Sequence, residues 1–115
     1  MVFSLITYNV KGMRDSSKRQ QIFNYLKNHM HNGIFFLQET HSTPDDEEKW
    51  KTEWGGELFF SHGKSNSKGV LTGFTKNIDA QITKNTYDKN GRILLTDAII
   101  DSHKYIQRQY WVWTG

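Results

Sequence analysis

Apolar and polar positions alternate from residue 2 to 10 (VFSLITYNV), with β-branched and aromatic side chains prominent, which predicts a strand. Lys11-Gly12 ends it. Asp15-Ser16-Ser17 then offers N-cap groups for a helix running to about His29. Its apolar residues Ile22, Phe23, Leu26 and Met30 share one helical face, and Asn32-Gly33 is the expected stop. The next run, Ile34-Phe35-Phe36-Leu37, is continuously apolar into Gln38, as in a strand covered on both faces. Thr43-Pro44 reads as the N-cap and first position of a second helix closed by Gly55-Gly56. Asp45, Asp46, Glu47 and Glu48 fill its first turn, where the helix dipole favours anions, so this acidic run has a structural explanation. Five strand-like runs follow, at residues 57–61, 69–75, 78–85, 92–101 and 104–112, separated by polar turns. Asn90-Gly91 between two of them is a hairpin signal. Strand, helix, strand, helix and then a series of strands predicts an α/β (α+β) sandwich, mostly antiparallel with two helices, in a single domain over residues 1–115.

Composition narrows the class. The 115 residues are 36% hydrophobic and 23% charged, which fits a globular chain with a modest core rather than a disordered one. Cysteine is absent, which excludes disulfides and thiolate metal sites. No apolar run approaches the roughly 20 residues of a membrane span, so no membrane association is expected. The N-terminus lacks a basic region and a small-residue cleavage site, and the expected location is nuclear or cytoplasmic rather than secreted. A net charge of +3 is compatible with a polyanionic partner but too small to argue for one alone.

The chemistry concentrates at two strand ends. Glu39 follows a buried strand, where a carboxylate costs desolvation unless something positive meets it. Asn9 closes the first strand. With those strands side by side, joined by the intervening helix, both ends face one edge, where ligands collect in layered α/β folds. An amide oxygen and a carboxylate are hard donors that suit Mg2+, with Mn2+ as a substitute. On the residues alone two other readings stay open: Asn9 stabilising a turn, and Glu39 pairing with a lysine.

Four stretches, SLITYNVKGMRDSSKRQQIFNYLK, IFFLQETHSTPDDEEKW, LFFSHGKSNSKGV and YDKNGRILLTDAII, occur in the order found in the endonuclease/exonuclease/phosphatase superfamily. In detail the chain resembles the apurinic-type endonuclease domain of LINE-type (non-LTR) retrotransposon reverse-transcriptase polyproteins, from about Val2 to about Ile106. The similarity covers the N-terminal half of that domain, so the expected architecture is half of a four-layer α/β sandwich of two facing sheets. The resemblance implies magnesium-dependent hydrolysis of DNA phosphodiesters. It makes Glu39 a direct metal ligand and Asn9 a hydrogen-bonding partner that helps place metal and scissile phosphate, both catalytic. The loop of Lys64 and Lys68 resembles one that contacts a DNA backbone, and Arg92 matches a position near the family's site edge or is a hairpin-flanking surface charge. Lys11 joins these as a nucleic-acid-binding residue, and Gln38 orients Glu39 or the backbone, or is purely structural. His41, beside the site, reads more simply as a solvated loop residue.

The family's later elements have no match. Its Asp-x-Asn motif, second aspartate and terminal Asp-His pair are not found. Asp101-Ser102-His103 reads as a hairpin turn, and Tyr110 in QRQYWVWTG lacks the Tyr-x-Pro setting of the family's tyrosine. Without acid and base groups the chain is expected to be inactive alone, since each such group contributes about 10²–10⁴-fold. The implied partners are DNA, the missing C-terminal half and a reverse transcriptase in the parent polyprotein. Two rival readings are a non-catalytic nucleic-acid-binding remnant of a retrotransposon and a phosphomonoesterase or sphingomyelinase of the same superfamily.

Overall fold

A computed structural model of the chain describes residues 4–64, 68–76, 80–87, 93–100 and 105–112, the last three segments by their backbone. The chain opens as a strand, helix, strand unit. Strand β1 (Ser4–Asn9) runs parallel to β2 (Gly33–Gln38), with α1 (Ser16–His29) as the crossover. Ser4 lies opposite Gly33 and Asn9 opposite Gln38, so the two carboxyl ends finish level. Strands β3 (Leu58–Ser61) and β4 (Val70–Phe74) extend this sheet antiparallel, in the order β1-β2-β4-β3. A second sheet is the antiparallel series β5 (Ala80–Tyr87), β6 (Ile93–Ile100) and β7 (Tyr105–Val112), whose first two strands approach β3 and β4. The α+β class and the mainly antiparallel pairing are those the pattern predicts. The turns at Asn90-Gly91 and at residues 101–103 lie outside the described residues, although the strands on either side of each pair antiparallel.

Local chemistry explains the helices. The Asp15 carboxylate accepts from the Lys18 backbone N–H at 2.9 Å and caps α1, which buries Phe23 and Leu26. The helix ends at His29, the expected end, and is capped by Met30 rather than by Asn32-Gly33. Gly33 instead opens β2, where the Ser4 carbonyl fills the space a Cβ would need. Asp46 accepts from the Thr43 N–H at 2.9 Å and from its hydroxyl at 3.1 Å. This cap starts a short 3-10 turn, Pro44–Asp46, before α2 (Glu47–Trp54), and Gly55 closes that helix at φ 80. Among the described residues no helix is long and apolar enough to cross a membrane.

The core lies between the first sheet and the two helices and is built around Met13, Phe23, Phe35, Leu37, Trp50 and Trp54. Phe35 lies beside Gly73 on the neighbouring strand, its ring occupying the position of the absent Cβ. Arg19 crosses the same core at 2% exposure. Its Nε and Nη2 donate to the two Glu53 carboxylate oxygens at 2.6 and 3.0 Å, and Nη1 donates to the Met13 and Arg14 carbonyls at 3.3 and 2.9 Å. Its guanidinium also sits 5.1 Å from the Trp50 ring centre.

The Arg19 hydrogen bond, and behind it the charges of Arg19 and Lys49, hold the Glu53 carboxyl below the ordinary glutamate range despite partial desolvation. A folded-state pKa below the unfolded one gives stability that is present above the unfolded value, about 4.3, and is lost as pH falls through the folded value. Thermal melts between about pH 6 and pH 3 should therefore show a downward slope that Glu53→Gln reduces. An unchanged slope would show that the Arg19–Glu53 pair contributes nothing to acid sensitivity.

Candidate functional site

The level ends of β1 and β2 and the start of β4 form one rim, and three loops meet there. Asn9 Nδ2 donates to Glu39 Oε2 at 2.6 Å, while Asn9 Oδ1 accepts from the Lys11 backbone N–H at 3.0 Å. These two contacts define the amide's orientation. Reversed, its oxygen would face the carboxylate and its NH2 would face another N–H. Asn9 therefore holds the carboxylate through its nitrogen, and its oxygen is directed at the backbone. Glu39 is half-buried, and its Oε1 has no hydrogen-bond or lysine partner among the described residues.

The backbone here is under tension. Among the described residues, the four non-glycine residues in the left-handed region are Lys11 (φ 52), Glu39 (φ 53), His41 (φ 58) and Lys68 (φ 60). All four lie at this rim. For an L-residue that region costs roughly 1–2 kcal/mol, and such strain collects at functional sites. Interloop hydrogen bonds hold it in place. The Gly12 and Met13 N–H groups donate to the Glu39 and Thr40 carbonyls at 2.6 and 3.1 Å. Thr40 and His41 donate to the Gly69 and Lys68 carbonyls at 3.1 and 2.7 Å. The two motif glycines make this closeness possible. A Cβ on Gly12 would lie 2.7 Å from His41 Nδ1, and one on Gly69 2.5 Å from Thr40 Oγ1.

The other expected residues separate into groups. Gln38 contacts the backbone and the neighbouring strand, not the Glu39 carboxylate. Its amide nitrogen donates to Thr7 Oγ1 at 2.9 Å and to the Phe36 carbonyl at 3.1 Å, joining β1 to β2. The cause is strand alternation and burial, which turn it away from the rim. Lys11 is exposed at the rim and Lys68 half-buried beside it, while Lys64 is exposed farther out on the loop between β3 and β4. Arg92 lies outside the described residues. Tyr110 pairs with Leu95 in the second sheet. His41, expected to be solvated, is half-buried with its ring against Gly12.

Three residues escaped the sequence reading. The Ser42 hydroxyl lies 2.8 Å from His62 Nδ1, and His62 Nε2 lies 2.6 Å from Glu47 Oε2. Ser42 is fully buried, so this is not a serine nucleophile facing a substrate. No local pattern could have disclosed it, since residues 42, 47 and 62 meet only when β3 and α2 pack together.

The donor set is spare. Among the described residues no group of three or more His, Asp or Glu side chains is placed to hold a metal ion. One partly exposed carboxylate with a free oxygen does not make a closed protein cage. It does fit Mg2+, which is commonly held by one or two carboxylates with waters and substrate phosphate completing the shell.

Fold and rim together define an α+β protein with a strained, carboxylate-bearing strand-end site. No protein-family model matches the chain. It is similar to the Transposon TX1 uncharacterized 149 kDa protein of Xenopus laevis, with 35% identity over 94 residues, 82% of this chain and 7% of that protein. The chain is thus related in sequence to a transposon protein, and it spans about 7% of the length of the curated relative it matches.

Proposed function

We propose that the chain is part of the magnesium-dependent DNA endonuclease of a LINE-type retrotransposon polyprotein and supplies the metal-holding rim of that site. The observation that carries this reading is the 2.6 Å contact between Asn9 and Glu39, which leaves one carboxylate oxygen open at the shared strand edge. In this reading Glu39 Oε1 is the ligand, Asn9 orients the carboxylate, and Lys11 and Lys68 meet the phosphate backbone. Bound Mg2+ supplies charge neutralisation at the phosphoryl oxygens. Lysines at a backbone contact position a duplex without reading its sequence. Sequence similarity to a transposon protein supports the retrotransposon origin.

Turnover needs groups beyond these. Among the described residues no group of three or more His, Asp or Glu side chains gathers to hold a metal ion, and His41 is packed against Gly12. The 115 residues alone are therefore proposed to bind metal and duplex without efficient cleavage. The exposed edge of β1 fits docking by the rest of such a domain. Leu5, Tyr8 and Tyr25 are more than half exposed there, beside a groove of about 610 Å3 between β1 and α1.

Supercoiled-plasmid nicking and duplex binding test this reading. With Mg2+, the 115-residue chain should bind duplex with an affinity that falls steeply as salt rises, and should nick weakly or not at all. Glu39-dependent nicking, lost in Glu39→Ala, would make the isolated chain an enzyme. Absence of both duplex binding and metal binding would remove the proposal.

A further inference from the structure

Directly behind the candidate carboxylate runs an unbroken chain of polar contacts. Thr40, the residue after Glu39, places Oγ1 2.9 Å from Ser42 Oγ, which continues through His62 to Glu47. Thr40 and Ser42 have no solvent exposure, and the His62 side chain has 14%. The order of donors follows from what each group can do. In the tautomer of His62 that donates its Nε2–H to the Glu47 carboxylate, Nδ1 is the acceptor. The Ser42 hydroxyl then donates to Nδ1, and its oxygen is left to accept from the Thr40 hydroxyl. Every proton points toward Glu47, and each buried oxygen is satisfied.

Three elements contribute to this chain. Thr40 and Ser42 belong to the loop after β2, His62 follows β3, and Glu47 begins α2. Left-handed Glu39 and His41 flank Thr40, and such backbone strain is retained only where surrounding contacts hold it. The loop's backbone bonds to Lys68 and Gly69 restrain one side. The hydroxyl chain restrains the other.

We propose that His62 is a positioning residue, acting through Ser42 and Thr40 to hold Glu39 in its ligand geometry, a role that rests on the reading of Glu39 as a metal ligand. The two ring nitrogens can be separated by substitution. His62→Asn retains an acceptor near the position of Nδ1 and loses the reach to Glu47. His62→Gln retains a donor near Nε2 and loses the acceptor for Ser42.

The test titrates Mn2+ into the 115-residue chain, following paramagnetic broadening of backbone amide signals, with a thermal melt of each variant. His62→Asn should bind Mn2+ within about twofold of the parent chain. His62→Gln and Ser42→Ala should each weaken binding by about 10-fold, the lower end of what loss of a ligand-supporting contact costs. The double variant Ser42→Ala/His62→Gln should be no weaker than either single, because both remove one contact. A merely structural role predicts instead that affinity follows melting temperature, with His62→Asn and His62→Gln equally impaired. That result, or wild-type affinity in His62→Gln, overturns the proposal while leaving Glu39 as ligand intact. Glu39→Ala distinguishes the underlying reading. If it leaves Mn2+ binding unchanged, the ligand assignment fails and the positioning role fails with it.

Discussion

Glu39→Ala is expected to lower the affinity of the chain for Mn2+ or Mg2+ by about 100-fold or more, since loss of even a supporting residue costs about 10–100-fold. Among the described residues no group of three or more His, Asp or Glu side chains is placed to hold a metal ion in its stead, and Asn9 directs its oxygen toward Lys11. Stability should not follow metal affinity. At φ 53 an alanine is as strained as a glutamate, whereas glycine is not. Glu39→Gly should therefore be more stable than Glu39→Ala by roughly 1 kcal/mol, while both lose metal binding alike. Asn9 Nδ2 loses its acceptor in either variant, but it is half-buried at an open rim where water replaces the contact at small cost. Calorimetric metal titration and urea unfolding check both halves. Equal stability of the two variants would remove the argument that strain is stored at this position.

Trp54→Ala should destabilise the fold by about 3–5 kcal/mol, the range for truncating a large core aromatic. Against a typical total of about 5–15 kcal/mol, that is a large share of what holds a chain of this size folded. Trp54 is 2% exposed, meets the Phe23 and Phe35 rings at centroid distances of 5.5 and 4.8 Å, and donates its indole N–H to the Phe74 carbonyl at 2.8 Å. It thereby joins α2 to α1, β2 and β4. Trp54→Phe keeps much of the ring volume but leaves the Phe74 carbonyl without this donor, for an expected cost of about 1–3 kcal/mol. Denaturant unfolding should rank the parent chain above Trp54→Phe and Trp54→Phe above Trp54→Ala. If the two variants are equally destabilised, filling of the core by the ring is not the dominant effect.

Much of the architecture could be read along the chain because it depends on near neighbours. The Asp15 cap, the Thr43–Asp46 cap and the Gly55 terminus involve groups within a few residues of each other. Alternation and apolar runs marked the strands for the same reason. Gly33, read with Asn32 as the stop after the helix, opens β2, where the Ser4 carbonyl of the neighbouring strand leaves no room for a Cβ, a contact no local pattern shows. The meeting of Asn9 and Glu39 was legible at one remove. Two strands joined by a helix place their carboxyl ends at the same edge once they pair side by side in parallel.

What the amino-acid order determined by itself is the sequence of elements, their class, and the positions of two polar residues at strand ends. Tertiary structure alone decided which atom of Asn9 faces Glu39, that Gln38 bonds to the neighbouring strand, and that Arg19 meets Glu53. It also decided that Ser42, His62 and Glu47 line up behind the rim. The physical reason is range. Caps and periodicity are set by contacts inside one turn or one pleat, whereas a hydrogen bond between distant segments exists only after packing has removed water and brought the donors and acceptors into register.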